Sequence, residues 1–122
     1  MSKILIVEDN EMNRDMLTRR LQRKGFETEV AINGEEALSQ AKFYKPDVIL
    51  MDMSLPVMDG WEATKLLKQL HDTQHIPVIG LSAHARDVDV IRGKEAGCDA
   101  YETKPIDLDK LIKTMESLIT NK

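Results

Sequence analysis

The chain has a single cysteine, Cys98, so no internal disulfide can form and the fold must rest on a core. A lone thiol suits a reducing compartment such as the cytoplasm, and it reads first as a small buried hydrophobe. Basic residues do not predominate. The net charge is −4 and the isoelectric point about 5.4, the wrong field for gripping a phosphate backbone, so no direct nucleic-acid partner is expected. Apolar runs such as Val48 to Met51 are only 4 residues long, far short of the roughly 20 that a membrane-spanning helix needs. The opening "MSKILIVEDN" turns acidic at once and lacks a signal peptide's long apolar stretch and cleavage site. No membrane partner is expected, and the expected location is cytoplasmic. Repeats, low-complexity tracts and Gly/Ser-rich linkers are also missing.

What is present is alternation. A length of 122 residues with 42% hydrophobic and 31% charged residues describes one folded domain, expected to span 1–122 with no output segment. Short aliphatic runs, "KILIV", "TEVAI", "DVILM" and "PVIGL", read as strands, with a weaker fifth at "AYET". Between them lie helical spacings. Ala63, Leu66, Leu67 and Leu70 form one stripe, and Leu108, Leu111, Ile112 and Met115 another. Met12, Met16, Leu17 and Leu21 make a looser stripe whose methionines read as core filler. Gly25 and Gly97 stand where helix C-caps belong, and Asp107 is a good N-cap. The fourth helix, near Arg86 to Ala96, contains Gly93, which costs about 1 kcal/mol relative to alanine and makes it the loosest expected. Five strands alternating with five helices imply an α/β fold, a parallel sheet covered on both faces.

In such sheets ligands bind beyond the carboxyl ends of the strands. The first strand runs into Glu8-Asp9, the third into Asp52, the fourth into Ser82 and the fifth into Lys104; the second ends only in the turn signal Asn33-Gly34. Each has a plainer reading alone. Glu8 and Asp9 would favour the positive end of a helix, Ser82 could cap one, and Lys104 could be solvated. Together they form one chemical set at one edge. Three carboxylates and one ammonium leave a charge of −2 in a small volume, which raises carboxylate pKa values unless a cation intervenes. All-oxygen ligation points to Mg²⁺. His71 and His75 are 4 apart but lack a third ligand, so zinc is not indicated and both read as solvent-facing. A hard cation beside a carboxylate, a lysine and a hydroxyl is a set of parts for phosphoryl transfer onto the carboxylate.

The motifs "ILIVEDN", "PDVILMDMSLPVMDG", "PVIGLSA" and "AGCDAYETKPI", in that order and covering roughly Lys3 to Ile119, resemble the response-regulator receiver domain, the CheY-like module of two-component signalling. The resemblance implies a doubly wound, flavodoxin-like five-stranded sheet in the order 2-1-3-4-5. It implies Asp52 as phosphoacceptor, with Mg²⁺ held by Asp9, Asp52, Glu8 (largely through water) and the Ser54 backbone carbonyl. Ser82 becomes the switch hydroxyl, Lys104 the phosphate partner and Tyr101 the aromatic switch. Ser54 and His84 fall where the family tunes phosphoryl lifetime. A cis Lys104-Pro105 bond is implied as well. Glu8 in place of a second aspartate and Ser82 in place of threonine depart from the frequent pattern but keep the chemistry.

The implied function is a phosphorylation-controlled signalling switch, not a turnover enzyme, that takes its phosphoryl group from a sensor histidine kinase or a histidine phosphotransfer protein. It would act on a downstream protein target through the face formed by its last helices. The alternative role is that of a receiver excised from a hybrid kinase. A different class, a binding module that never uses its acidic site, is disfavoured by the intact Glu8, Asp9, Asp52, Ser82 and Lys104. Flavin-dependent electron transfer is disfavoured by 4% aromatic residues and by the lack of a Ser/Thr/Gly-rich loop after the first strand. The first helix, Met12 to Lys24 with Arg14, Arg19 and Arg23, is the expected docking surface for the donor, although its "RRLQRK" cluster also reads as a solvated face.

Overall fold

The apolar runs become strands because side chains alternate across a pleated sheet, and in this sheet both faces are covered. The computed structural model describes residues 2–55, 58–83 and 87–120, with backbone alone at 87–89. The described residues form β1 (Lys3–Val7), α1 (Glu11–Arg23), β2 (Glu27–Ala31), α2 (Gly34–Tyr44), β3 (Val48–Asp52), α3 (Gly60–Gln69), β4 (Val78–Ser82), α4 (Asp87–Ala96), β5 (Ala100–Thr103) and α5 (Leu108–Thr120). The strands are all parallel, in the order β2-β1-β3-β4-β5. This is the expected doubly wound fold.

Alternation sorts the core into two halves. Leu5, Val7, Ile49 and Met51 face one way, onto Ala37 and Ala41 of α2 and Ala63 and Leu67 of α3. Ile4, Ile6, Val48, Leu50, Ile79 and Leu81 face the other, onto Leu21 of α1 and Leu111 and Met115 of α5. Every residue of β3 and β4 is buried, which suits central strands roofed on both sides.

Local chemistry sets the helix ends. Asn10, Asn33 and Asp59 cap α1, α2 and α3 by accepting the amides of Asn13, Glu36 and Glu62. Asp107 accepts the Lys110 amide at 3.3 Å ahead of α5. Gly25 and Gly97 have φ of 93° and 106°, as C-terminal stops require. One sequence expectation changes. Met12 and Met16 are 77% and 45% exposed, not core filler. At about 100° per residue the pair lies roughly 140° around α1 from Leu17 and Leu21, the residues that do meet the sheet. Gly93, which propensity marks as a weak point, has a packing reason: a Cβ there would stand 3.0 Å from the Tyr101 ring. His71 and His75 are exposed, as read.

Candidate phosphoacceptor site

Asp52 is the last residue of β3 and is 3% exposed. A fully buried strand thus delivers a carboxylate to the carboxyl edge of the sheet. Its Oδ1 accepts the Ser54 amide at 3.0 Å. The chain then returns so tightly that a Cβ at Gly60 would collide with the Asp52 carbonyl oxygen and lie 2.7 Å from Met53 Cα. Only glycine allows α3 to begin at this spot. The Gly60 amide donates to the Met53 carbonyl at 3.3 Å, which closes the loop.

Glu8, directly after β1, is buried, whereas Asp9 is exposed. One carboxylate oxygen each from Glu8, Asp9 and Asp52 can be chosen so that all lie within 4.8 Å of one another. Lys104 Nζ is 3.0 Å from Glu8 Oε1 and 3.6 Å from Asp52 Oδ1. Burial and the neighbouring Asp52 push the Glu8 carboxyl up to about 7, against the pull of Lys104. Burial acts to lower Lys104, but its contacts with Glu8 and Asp52 outweigh that and raise it, so the ammonium stays charged. One lysine therefore does not neutralise the cluster. Buried carboxylate oxygens crowded at this spacing, with one ligand open to solvent, fit a hard divalent cation such as Mg²⁺.

The other expected residues gather at the same edge. Ser82 ends β4 at 2% exposure, and its carbonyl accepts the Lys104 amide at 2.7 Å. The Lys104-Pro105 bond is cis, as the resemblance implies. Ser54 is exposed, two positions past Asp52. Tyr101 lies on β5, half-buried between Gly80 and Gly93, and its hydroxyl is buried with no hydrogen-bond partner among the described residues. His84 lies outside the described residues, as does Arg86, the expected start of the fourth helix.

Two participants escaped the sequence reading. Arg14 does not project freely from α1: its Nη1 donates to the Glu8 carbonyl at 3.0 Å and to the Asp9 carbonyl at 3.4 Å. Arg92 of α4 stacks 4.0 Å from the Trp61 ring centroid and lies 3.8 Å from the Asp59 carboxylate at the head of α3. Neither leaves a periodic signal, because each joins residues on different elements or through backbone atoms.

Known proteins share this arrangement. The sequence profile of the response regulator receiver domain matches residues 4–116. The polar-differentiation response regulator DivK of Brucella anthropi is 42% identical over 116 residues, spanning 95% of this chain and 94% of that protein. The receiver domain of a signal transduction histidine kinase from Syntrophus aciditrophicus superposes with a TM-score of 0.91 at 35% identity, covering 99% of this chain and 92% of that one. The receiver domain of a sensor histidine kinase from Pseudomonas aeruginosa, solved with magnesium coordinated in its active site cleft, gives 0.90 at 31% identity and covers 98% of each chain. With the matched motifs converging on one sheet edge around Asp52, this chain belongs to the response regulator receiver domain family of two-component signalling.

Proposed function

We propose that this protein is a phosphorylation-controlled switch whose phosphoacceptor is Asp52. The observation that carries the reading is the bridge of Lys104 Nζ to both Glu8 and Asp52, within a cluster whose acids converge to 4.8 Å. An Asp52 oxygen attacks the phosphorus of a phosphohistidine, the P–N bond breaks, and the imidazole leaves. A carboxylate nucleophile needs no general base. Glu8 (largely through water), Asp9, Asp52 and the Ser54 carbonyl would hold Mg²⁺, which when bound would offset charge on the transferred oxygens. Lys104, already charged, pairs with a phosphoryl oxygen, and the Ser82 hydroxyl donates to another. Ser54 and His84 tune how long the acyl phosphate lasts.

The consequence passes to Tyr101 and α4. Moving such a switch from about 1% to 99% active takes roughly 5.5 kcal/mol of differential stabilisation, more than one hydrogen bond supplies. Ser82, Lys104 and Tyr101 acting together meet that demand. The changed surface of α4, β5 and α5 then selects a downstream protein. On the donor side, Met12 and Met16 with Arg20, Arg23 and Arg19, the last paired with Asp15 at 3.2 Å, form an exposed apolar and net basic face of α1. It suits a histidine kinase or phosphotransfer protein that presents carboxylates around its histidine.

Acetyl phosphate with Mg²⁺ tests the core of the proposal. Wild type should be labelled in a base-labile, hydroxylamine-sensitive form, and Asp52→Asn should not. Equal labelling of the two would remove Asp52 from the role, and no labelling of either would favour a binding module that works without phosphorylation.

A further inference from the structure

Arg14 sits one turn into α1, where a docking residue would be solvated, yet it is only partly exposed. Its guanidinium turns back and reaches the backbone carbonyls of two consecutive residues, Glu8 and Asp9. Those residues supply two of the three carboxylates in the acidic cluster. The segment that joins β1 to α1 is therefore held from both ends. Asn10 caps the helix through the Asn13 amide, and the Asn10 amide donates to Glu8 Oε2 at 3.3 Å. Arg14 adds a tie at the middle, where the chain changes direction. A guanidinium suits this task because the two hydrogens of its planar Nη1 point in fixed directions and serve both carbonyls, and no deprotonation releases it.

We propose that Arg14 is a positioning residue for the acidic loop: by binding the Glu8 and Asp9 carbonyls it holds their carboxylates converged on Asp52 for the divalent cation. The inference rests on the metal reading above and removes Arg14 from the donor-docking set. Groups that orient metal ligands commonly change affinity tenfold or more when lost. Here the ties run through backbone, so a decrease of about tenfold is expected.

The sign of the effect separates positioning from simple electrostatics. Arg14 is a cation beside a cation site, so its charge alone weakens metal binding. If charge were its whole contribution, Arg14→Met would bind Mg²⁺ more tightly and Arg14→Lys would match wild type. Positioning predicts that both variants bind more weakly, since lysine keeps the charge but its compact, strongly hydrated ammonium on a flexible stem does not fix the two directions in which Nη1 donates.

The experiment is a Mg²⁺ titration of wild type, Arg14→Lys, Arg14→Met and, as a control at an exposed position of α2, Lys42→Arg, followed by Trp61 fluorescence and calorimetry. Amide spectra of the metal-free proteins are recorded in parallel. The two Arg14 variants should lose about tenfold in affinity, with Glu8, Asp9 and Asn10 amides shifted before any metal is added; Lys42→Arg should resemble wild type. Tighter binding by Arg14→Met, or unchanged affinity in both variants, overturns the proposal. Wild type that fails to bind Mg²⁺ overturns the metal reading instead. In that case the metal-free amide shifts decide whether Arg14 orders the loop, and unmoved Glu8 and Asp9 amides overturn that too.

Discussion

Gly93 of α4 lies against the ring of Tyr101 on β5, so closely that a Cβ at 93 would stand 3.0 Å from Tyr101 Cδ2 and 3.2 Å from Cε2. The helix approaches the sheet here because it carries no side chain. Gly80 leaves matching space on the β4 side, where a Cβ would also come within 3.0 Å of the ring. The aromatic residue assigned to switching thus sits between two glycines, with its hydroxyl buried and lacking a hydrogen-bond partner among the described residues.

Gly93→Ala sets two effects against each other. Helix propensity alone would stabilise by about 1 kcal/mol. Overpacking against the ring costs about 1–3 kcal/mol. The crowding should win, leaving the variant no more stable than wild type and the Tyr101 ring resonances displaced. A melting temperature several degrees above wild type would show that the ring yields freely.

Gly60→Ala meets a harder obstacle, because its Cβ would strike backbone atoms of Asp52 and Met53. Backbone cannot rotate away, so the cost should reach the upper end of the overpacking range, about 3 kcal/mol. Urea unfolding measures it. Labelling by acetyl phosphate should fall even at temperatures where the variant remains folded, because the Asp52 loop itself is displaced.

Arg92 holds α4 to α3 by stacking on Trp61 more than by its ion pair. The pair with Asp59 is long, 3.8 Å, and both side chains are substantially exposed, at 56% and 39%; such pairs contribute little. Stacking at 4.0 Å contributes about 0.5–1 kcal/mol. Arg92→Met should therefore alter Trp61 emission and cost under about 1 kcal/mol. Asp59→Asn should be nearly neutral, since asparagine still caps α3, whereas Asp59→Ala should cost about 1 kcal/mol. Chemical denaturation of the three variants would contradict this ranking if Asp59→Asn proved the most damaging.

Burial pushes the Cys98 thiol up to about 11, with the Thr64 hydroxyl beside it and Lys68 pulling back and Asp99 adding to the rise. Only the thiolate reacts, and its fraction grows tenfold per pH unit below the pKa. At pH 8 that fraction is about one in a thousand, compared with about one in ten for an ordinary thiol near 9. Iodoacetamide labelling of the folded protein should be slow at pH 8 and still accelerating between pH 9 and 10. A plateau at pH 9 would contradict the shift.

Much of this molecule was legible in one dimension. Strand-length apolar runs, helical spacings and capping residues are local properties, so the order of elements and a parallel, doubly covered sheet followed from them. The site followed as well, because a parallel sheet places every strand's carboxyl end on one edge, and Glu8, Asp9, Asp52, Ser82 and Lys104 stand at or just beyond those ends. The resemblance supplied what periodicity does not carry: the strand order, the cis bond and the separate roles. Tertiary structure alone decided the rest. Which side of α1 faces the sheet depends on how the helix is rotated, and that rotation exposes Met12 and Met16 while burying Leu21. Gly93 looks like a break in a helical pattern until the ring it approaches is in place, and nothing local shows that position 60 must be glycine. Arg14 reads as one cation in a basic helix, because a bond to backbone carbonyls has no partner side chain to find in the sequence.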